Sequence, residues 1–446
     1  MMSSHLKKTL ALGTCLALFS QGALAQTAAQ TPSATPGQIL YRDGIAITAN
    51  YTGEAATNPT GGIRQGSDYA GQIYIGADFD LQKMFGLDGT SVHMALTQRH
   101  GRNLAADYIG NNTSVQEVFG TQNLHLAFFT IEQKLLHDRL DITLGRTVAN
   151  ITFLNSPLYC YFQSNSACGN PTFIFKDSNF TYFPASSWGG DAKYDLTKTL
   201  YVHAGGYEVS PVDKTFTSYG LNFSGQGDTG VVVPFELGYA TNITNDSRPR
   251  HYQIGGWYDD SAYGDPLLDA NGQVAVLTGQ PYARHHDRSG AFIRFDQMLT
   301  RPDPNSDRGL TLFGVAMTRI SGQETENRFY EIGVLQMGTF PGRDQDDIGF
   351  VVNDQEFSNR ALANVRAARM QAGGHGNIPS REIMMELTYG AQITKAVRLT
   401  PNLQYIINPD QMAEPSRTRN IPNAFVVGLK FTVDLSDLAG LSLPAS

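Results

Sequence analysis

NAFVVGLKFTVDL (residues 423–435) alternates without a slip. Phe425, Val427, Leu429, Phe431, Val433 and Leu435 share one parity, and Ala424, Val426, Gly428, Lys430, Thr432 and Asp434 share the other. Successive side chains of a strand point to opposite faces. One face is therefore continuously apolar with an aromatic near each end, and the other is small or polar. That split suits a strand standing between lipid and a wet lumen, and it sets the expected fold class: all-β, a transmembrane antiparallel β-barrel.

The preceding segments repeat the pattern. REIMMELTYGAQI (381–393) puts Met385, Leu387, Tyr389, Ala391 and Ile393 on one face, with Glu386, Thr388 and Gln392 opposite. A tight Thr394-Lys395-Ala396 turn leads into VRLTPNLQYIIN (397–408), and a longer polar stretch after Pro409 leads into the last strand. Short turns at one rim and long loops at the other are the habit of outer-membrane barrels. Read backwards with that rule, candidate strands begin near Ile45, Gln72, Ser91, Asn123, Leu140, Ser187, Tyr201, Val232, Tyr252, Ala291, Leu310, Phe329, Asp347, Ile383, Val397 and Asn423. That tally of sixteen is even, as closure with both termini in the periplasm requires. The strands near Phe329 and Asp347 have the poorest alternation, broken by Gly and charge. Ile73, Ile75, Ala77, Phe79 and Leu81 form one outward row, and Val231, Val233, Phe235, Leu237 and Tyr239 another. A soluble sandwich also alternates, but it does not predict the long/short loop rhythm.

Residues 357–374 (FSNRALANVRAARMQAGG) stand apart, with helix formers ended by Gly373-Gly374. They fall in an external loop, where a lid-like helix and a merely solvated one are both compatible readings.

At the N-terminus, Lys7 and Lys8, the apolar TLALGTCLALF (9–19) and Ala23-Leu24-Ala25 make a secretory signal peptide over residues 1–25, cleaved after Ala25. A lipoprotein site at Cys15 is the weaker reading, because Thr14 precedes it. A lead-in (26–43), the barrel (44–435) and a periplasmic tail (436–446) follow. Removing the signal takes two lysines and no acid, so the formal charge goes from −8 to −10, which argues against nucleic acid. No later run of about 18 apolar residues suggests a spanning helix. Two cysteines remain, Cys160 and Cys168, and in an oxidising compartment so close a pair most simply forms a local disulfide. Zinc is the lesser reading, since no neighbouring His completes a ligand set.

NPTGGIRQGSDYAGQ (58–72), GADFDLQKMFGLDG (76–89), QRHGRNLAADYIGN (98–111), FLNSPLYCYFQSNSACGNP (153–171), FPASSWGG (183–190) and LTPNLQYIINP (399–409) resemble the carbohydrate-selective porin family, OprB type. The resemblance spans nearly all of the mature chain. It implies a sixteen-stranded outer-membrane porin that admits glucose and related sugars by facilitated diffusion. It implies neither a trimer nor a monomer. One departure is the tail SDLAGLSLPAS after Leu435, where a porin usually ends on an aromatic residue.

A passive pore needs no nucleophile, metal or other cofactor. It needs a constriction and weak polar contacts for hydroxyl groups. The third external loop, 148–185, is the longest and holds both cysteines. By resemblance to general porins it folds into the lumen, where a Cys160–Cys168 bridge fixes its shape; the plainer reading is a bridge that only protects an exposed loop. Parity places Thr48, Asn50, Thr52 and Glu54 inward on the first strand, and His93, Ala95, Thr97 and Arg99 on the third. Glu54 and Arg99, with Arg102 and Asp107 in the next loop, are candidates to replace part of a sugar's hydration shell. Arg294, Asp296, Glu386 and Lys430 are further lumen candidates. Tyr159 and Phe162, with Tyr161, Phe173 and Phe175, offer faces on which pyranose rings stack. For the charges the bland alternative is a structural salt bridge, and for the aromatics it is loop packing. Trp188 shares parity with Tyr194 and reads as a lipid-facing girdle residue. Rival functions are a general diffusion porin, a barrel enzyme (its only dense cluster is His285-His286-Asp287, without a marked nucleophile) and an adhesin.

Overall fold

The computed structural model describes residues 35–442 apart from positions 216 and 305. The expected signal peptide and its cleavage site lie outside the described residues.

Eighteen strands run β1 (Ile45–Thr60), β2 (Ser67–Asp80), β3 (Thr90–Gly101), β4 (Leu124–Leu135), β5 (Leu140–Thr147) and β6 (Ser187–Asp195). Next come β7 (Leu200–Val209), β8 (Gly230–Ala240), β9 (Arg250–Asp259), β10 (Tyr263–Asp269), β11 (Tyr282–His285) and β12 (Arg288–Met298). The last six are β13 (Gly309–Ser321), β14 (Glu326–Met337), β15 (Asp347–Phe357), β16 (Arg381–Gln392), β17 (Val397–Ile407) and β18 (Ala424–Asp434). All but β10 and β11 close a barrel of sixteen antiparallel strands, with β9 paired to β12 and β18 to β1. Each of the sixteen expected strands is present, including those near Phe329 and Asp347. β2 begins five residues before the expected Gln72, because it pairs with β1 as far as Thr57↔Ser67 and Gly53 lies opposite Gly71. Two glycines facing each other carry no alternation to read.

The two parities separate as the sequence requires. Val231, Val233, Phe235, Leu237 and Tyr239 are exposed on the outer face, whereas Val232 and Glu236 of the same strand are buried. Trp188 is outward and 40% exposed. No helix is long and apolar enough to cross a membrane among the described residues.

At the periplasmic rim a short helix, Pro36–Arg42, is capped by a Thr35–Gln38 box. Gly37 N–H donates to Gly440 O at 3.0 Å, which ties the lead-in to the tail. β18 stops at Asp434, opposite Asn50, so Ala49 has lost its strand partner on that side. The Ser436 hydroxyl replaces it, accepting from Ala49 N at 2.5 Å and contacting its carbonyl at 3.2 Å. The tail thus finishes the seam of the barrel, satisfying backbone groups that a strand edge leaves open.

The external loops are elaborate. Residues 357–374 do form a helix, Asn359–Gln371, capped by Ser358. The β10–β11 hairpin, which no periodicity marks, sits beside it. Arg360 pairs with Asp265, and Asn364 Nδ2 donates to Tyr282 OH at 3.0 Å. From its other end Arg369 reaches Arg417 O at 2.9 Å and Asn420 Oδ1 at 2.6 Å. The helix therefore fastens two neighbouring loops to each other. The loop 210–229 goes the other way, over the outer face, where it covers Arg146 with Asp213 and Asn222 O.

Candidate functional site

The long loop between β5 and β6 holds two 3₁₀ turns, Ala149–Ile151 and Tyr159–Tyr161, and a short helix, Thr172–Lys176. Its contacts go to strand residues of the inward parity. Phe153 stacks on His203 of β7, with ring centroids 3.9 Å apart. Ser156 Oγ donates to Asp296 of β12 at 3.1 Å. Tyr159 and Phe162 pack on Phe313 of β13 at 6.2 and 5.8 Å, and Phe173 meets Trp257 of β9 edge-on at 6.0 Å.

The tightest anchorage is to β16 and β18. The Glu386 carboxylate accepts the backbone N–H of Gln163 at 2.7 Å and of Ser164 at 2.9 Å. Lys430 Nζ donates to the carbonyls of Cys160 (3.2 Å) and Phe162 (2.8 Å). One anion and one cation thus clamp five residues of backbone from its donor and acceptor sides. Hydrogen bonds to charged groups contribute about 1.5–3 kcal/mol each, enough to hold a segment that has no sheet of its own. Asn402 Nδ2 adds a bond to Gln163 Oε1 at 2.8 Å.

The preceding loop, 102–123, is tied in alongside. Glu117 N donates to Gln163 O at 2.9 Å and Asn165 N to Ser114 O at 2.9 Å, joining the two loops through their backbones. Val118 N donates to Glu54 Oε2 at 3.0 Å, and Asn111 Nδ2 to Glu382 at 3.0 Å.

The residues singled out from sequence now divide. Glu54 is fully buried and lies opposite Lys430 in the β1–β18 register, with 3.6 Å between Oε1 and Nζ. Arg99 is 4% exposed and takes different partners: its Nε donates to Gln72 Oε1 at 2.7 Å, and Nη2 lies 3.8 Å from Glu117. The two are not a direct pair. Arg102 and Asp107 pair with each other at 2.8 Å, at an exposed position. The Arg102 guanidinium hydrogen-bonded to Asp107 holds that carboxyl below its usual range. Tyr159 and Phe162 are buried in the packing just described, with the Arg294 guanidinium 5.7 Å from the Tyr159 ring. His285 binds Asp265 at 2.9 Å and His286 the Asp260 carbonyl at 2.9 Å, so the dense cluster is spent on loop structure.

The expected Cys160–Cys168 bridge is not formed. Cys168 is a free, buried thiol with its sulfur 3.5 Å from Lys430 Nζ. The clamp on Glu386 and Lys430 fixes the backbone between the two cysteines, and Cys168 is turned to the lysine. Burial pushes its thiol well above the usual range.

Sequence reasoning passed over an aromatic and polar cluster beside Arg99. Phe183 lies 6.2 Å from Tyr74 and 6.0 Å from Phe128, with the Arg99 guanidinium 5.6 Å over its ring. Tyr74 was visible as inward by parity, but Phe183 and Glu117 sit in loops, where no periodicity marks them.

A sixteen-stranded wall whose inward face carries opposed charges and anchors a long loop is the arrangement of a channel. The family model described as carbohydrate-selective porin, OprB family, matches residues 64–435. The chain belongs to that family. It is 29% identical over 412 residues to Porin B of Pseudomonas aeruginosa, covering 88% of this chain and 87% of that protein. It is also similar to a solved structure titled as the high-pH form of Pseudomonas putida OprB, at 29% identity and a TM-score of 0.80, covering 89% of this chain and 95% of the other. This OprB-family porin is an outer-membrane barrel for the passive diffusion of sugars.

Proposed function

We propose that the porin passes glucose-like monosaccharides into the periplasm through a constriction that the 148–186 loop builds inside the barrel. The clamp of Glu386 and Lys430 on residues 160–164 supports this most directly, because a loop anchored to inward wall residues narrows the path they line. A sixteen-stranded barrel otherwise encloses a wide aqueous channel. Sugar contact falls to the cluster at Arg99. Gln72 and Glu117 offer an acceptor and an anion, and Tyr182, partly exposed and edge-on to Phe175 at 5.1 Å, presents a ring to an apolar sugar face. No covalent chemistry is involved: the solute exchanges part of its hydration for these contacts and leaves.

Liposome swelling tests the reading. Monosaccharides are expected to enter several-fold faster than disaccharides, and Arg99→Ala with Tyr182→Ala to reduce that preference without closing the pore. Entry rates that follow molecular size alone, unchanged by either substitution, would leave a general diffusion porin in its place.

A further inference from the structure

The outer wall carries a feature that the sugar path does not use. Across β14, β15 and β16, Arg328, Glu356 and Arg381 stand directly opposite one another on the lipid-facing parity. They lie at the external end, since β15 and β16 are joined there by the long loop bearing the Asn359–Gln371 helix. Arg381 bridges Asp354 at 2.6 Å and Glu356 at 2.9 Å, and Arg328 lies 3.7 Å from Glu356. The side chains of Arg328 and Arg381 are 54% and 48% exposed, against 21% and 18% for Asp354 and Glu356. All four side chains lie on the outer face, the acids the more covered and the guanidinium groups the more exposed, so the arginines are what the surface chiefly presents.

Below this row the wall is hollowed. Gly314 and Ala316 of β13 follow each other on the outer parity between Ile293 and Phe295 of β12 and Tyr330 and Ile332 of β14. The Phe295 ring covers Gly314, and the small side chain of Ala316 leaves an apolar groove of about 300 Å³ that also runs along Ile293, Tyr330, Ile332 and Val352. Ile293, Tyr330 and Ile332 are exposed at its edges. Tyr330 and Asp354 lie two residues below the arginine row, about 7 Å along the strand. Asp354 lines the groove, and one of its carboxylate oxygens has no hydrogen-bond partner, which leaves an acceptor for a hydroxyl or amide N–H.

We infer that this patch is a docking site for the phosphorylated, multiply acylated glycolipid of the outer leaflet. An acyl chain lies in the groove at Ala316 and a phosphate is held by Arg328 and Arg381. Arginine suits the role because its planar fork pairs with phosphate oxygens two at a time. The position argues for lipid over a soluble anion, since the rows below are continuous with the apolar belt. The inference rests on the outer-membrane barrel alone and not on the sugar reading.

Native mass spectrometry of the folded porin in micelles, titrated with purified lipopolysaccharide and with the same lipid dephosphorylated, tests it. One lipopolysaccharide per barrel is expected to be retained. Affinity should fall about tenfold in the Arg328→Gln/Arg381→Gln double variant, and several-fold in Ala316→Leu, which fills the groove. Dephosphorylated lipid should bind the parent protein about as weakly as intact lipid binds the double variant. Unaltered channel conductance in each variant shows that the barrel has folded. Equal retention across the variants, or of both lipids, would overturn the inference. So would a dimer mass that the substitutions abolish, which assigns the patch to a second copy of the chain.

Discussion

Along β18, Val427 and Leu429 are exposed to lipid while Val426, Gly428 and Lys430 are buried, and each residue from Val427 to Val433 pairs with a strand on both sides. Along residues 153–164 nothing alternates. Phe153, Ser156, Tyr159, Phe162 and Gln163 are held between them by four different strands of the wall. The wall is a repeat whose stability is spread over sixteen pairings, so no single side chain decides it. The long loop after β5 rests on a few specific anchors, two of them charged. The comparison implies that substitutions at the anchors alter the pore without unfolding the barrel.

The largest effect should come from replacing residues 156–170 by a short Gly-Ser linker. The barrel is expected to stay folded, as read by its heat-modifiable migration on gels, and its conductance to rise several-fold. Failure to fold would mean that loop and wall are one cooperative unit. Glu386→Ala should act next. It leaves two backbone N–H groups without their acceptor, which costs about 1–3 kcal/mol for each buried group. Faster hydrogen exchange confined to residues 160–168 and noisier open-channel current are expected; unchanged exchange there would show that the clamp is dispensable.

A smaller effect concerns the hairpin and helix outside. Burial pushes the Asp265 carboxyl up, but the N–H groups of Leu268 and Leu267, His285 and Arg360 together hold it below the usual range. A carboxyl whose folded value lies below its unfolded one contributes its stability above about pH 4 and loses it as pH falls through the folded value. Exchange protection over 263–285 should therefore persist from pH 7 to about pH 4 and fail only in stronger acid. Loss well above pH 4 would show that Asp265 does not set this protection. The smallest effect is expected at Arg102. Its pair with Asp107 is exposed, and such pairs contribute little. Arg102→Ala should leave both stability and sugar block unchanged, and a marked loss of block would move this pair into the solute's path.

The same contrast explains what the sequence made legible. Lipid on one side and water on the other impose a period of two, so all sixteen wall strands could be located, with the lumen side of Glu54, Arg99, Glu386 and Lys430. Where pressure on the pattern relaxes, it fades: the Gly53–Gly71 pairing hid the first turn of β2, and the β10–β11 hairpin has no lipid face to mark it. Inside the loop, specificity comes from backbone N–H groups of Gln163 and Ser164, which no residue type announces. The two cysteines were a misleading signal, because closeness in sequence says nothing of where Lys430 draws the chain. Arg146 shows the reverse limit. Its register places it opposite exposed Phe129 and Trp188, and yet it is buried, since a loop some 70 residues later covers it.

Single-channel conductance in planar bilayers, with glucose added to the bath, tests the central claim most directly. Discrete steps that glucose blocks saturably, with the block weakened in Arg99→Ala and abolished when residues 156–170 are replaced, are the predicted result. Steps indifferent to glucose in the intact porin would contradict a sugar-selective constriction, and equal block after loop replacement would place the selective contacts on the wall alone.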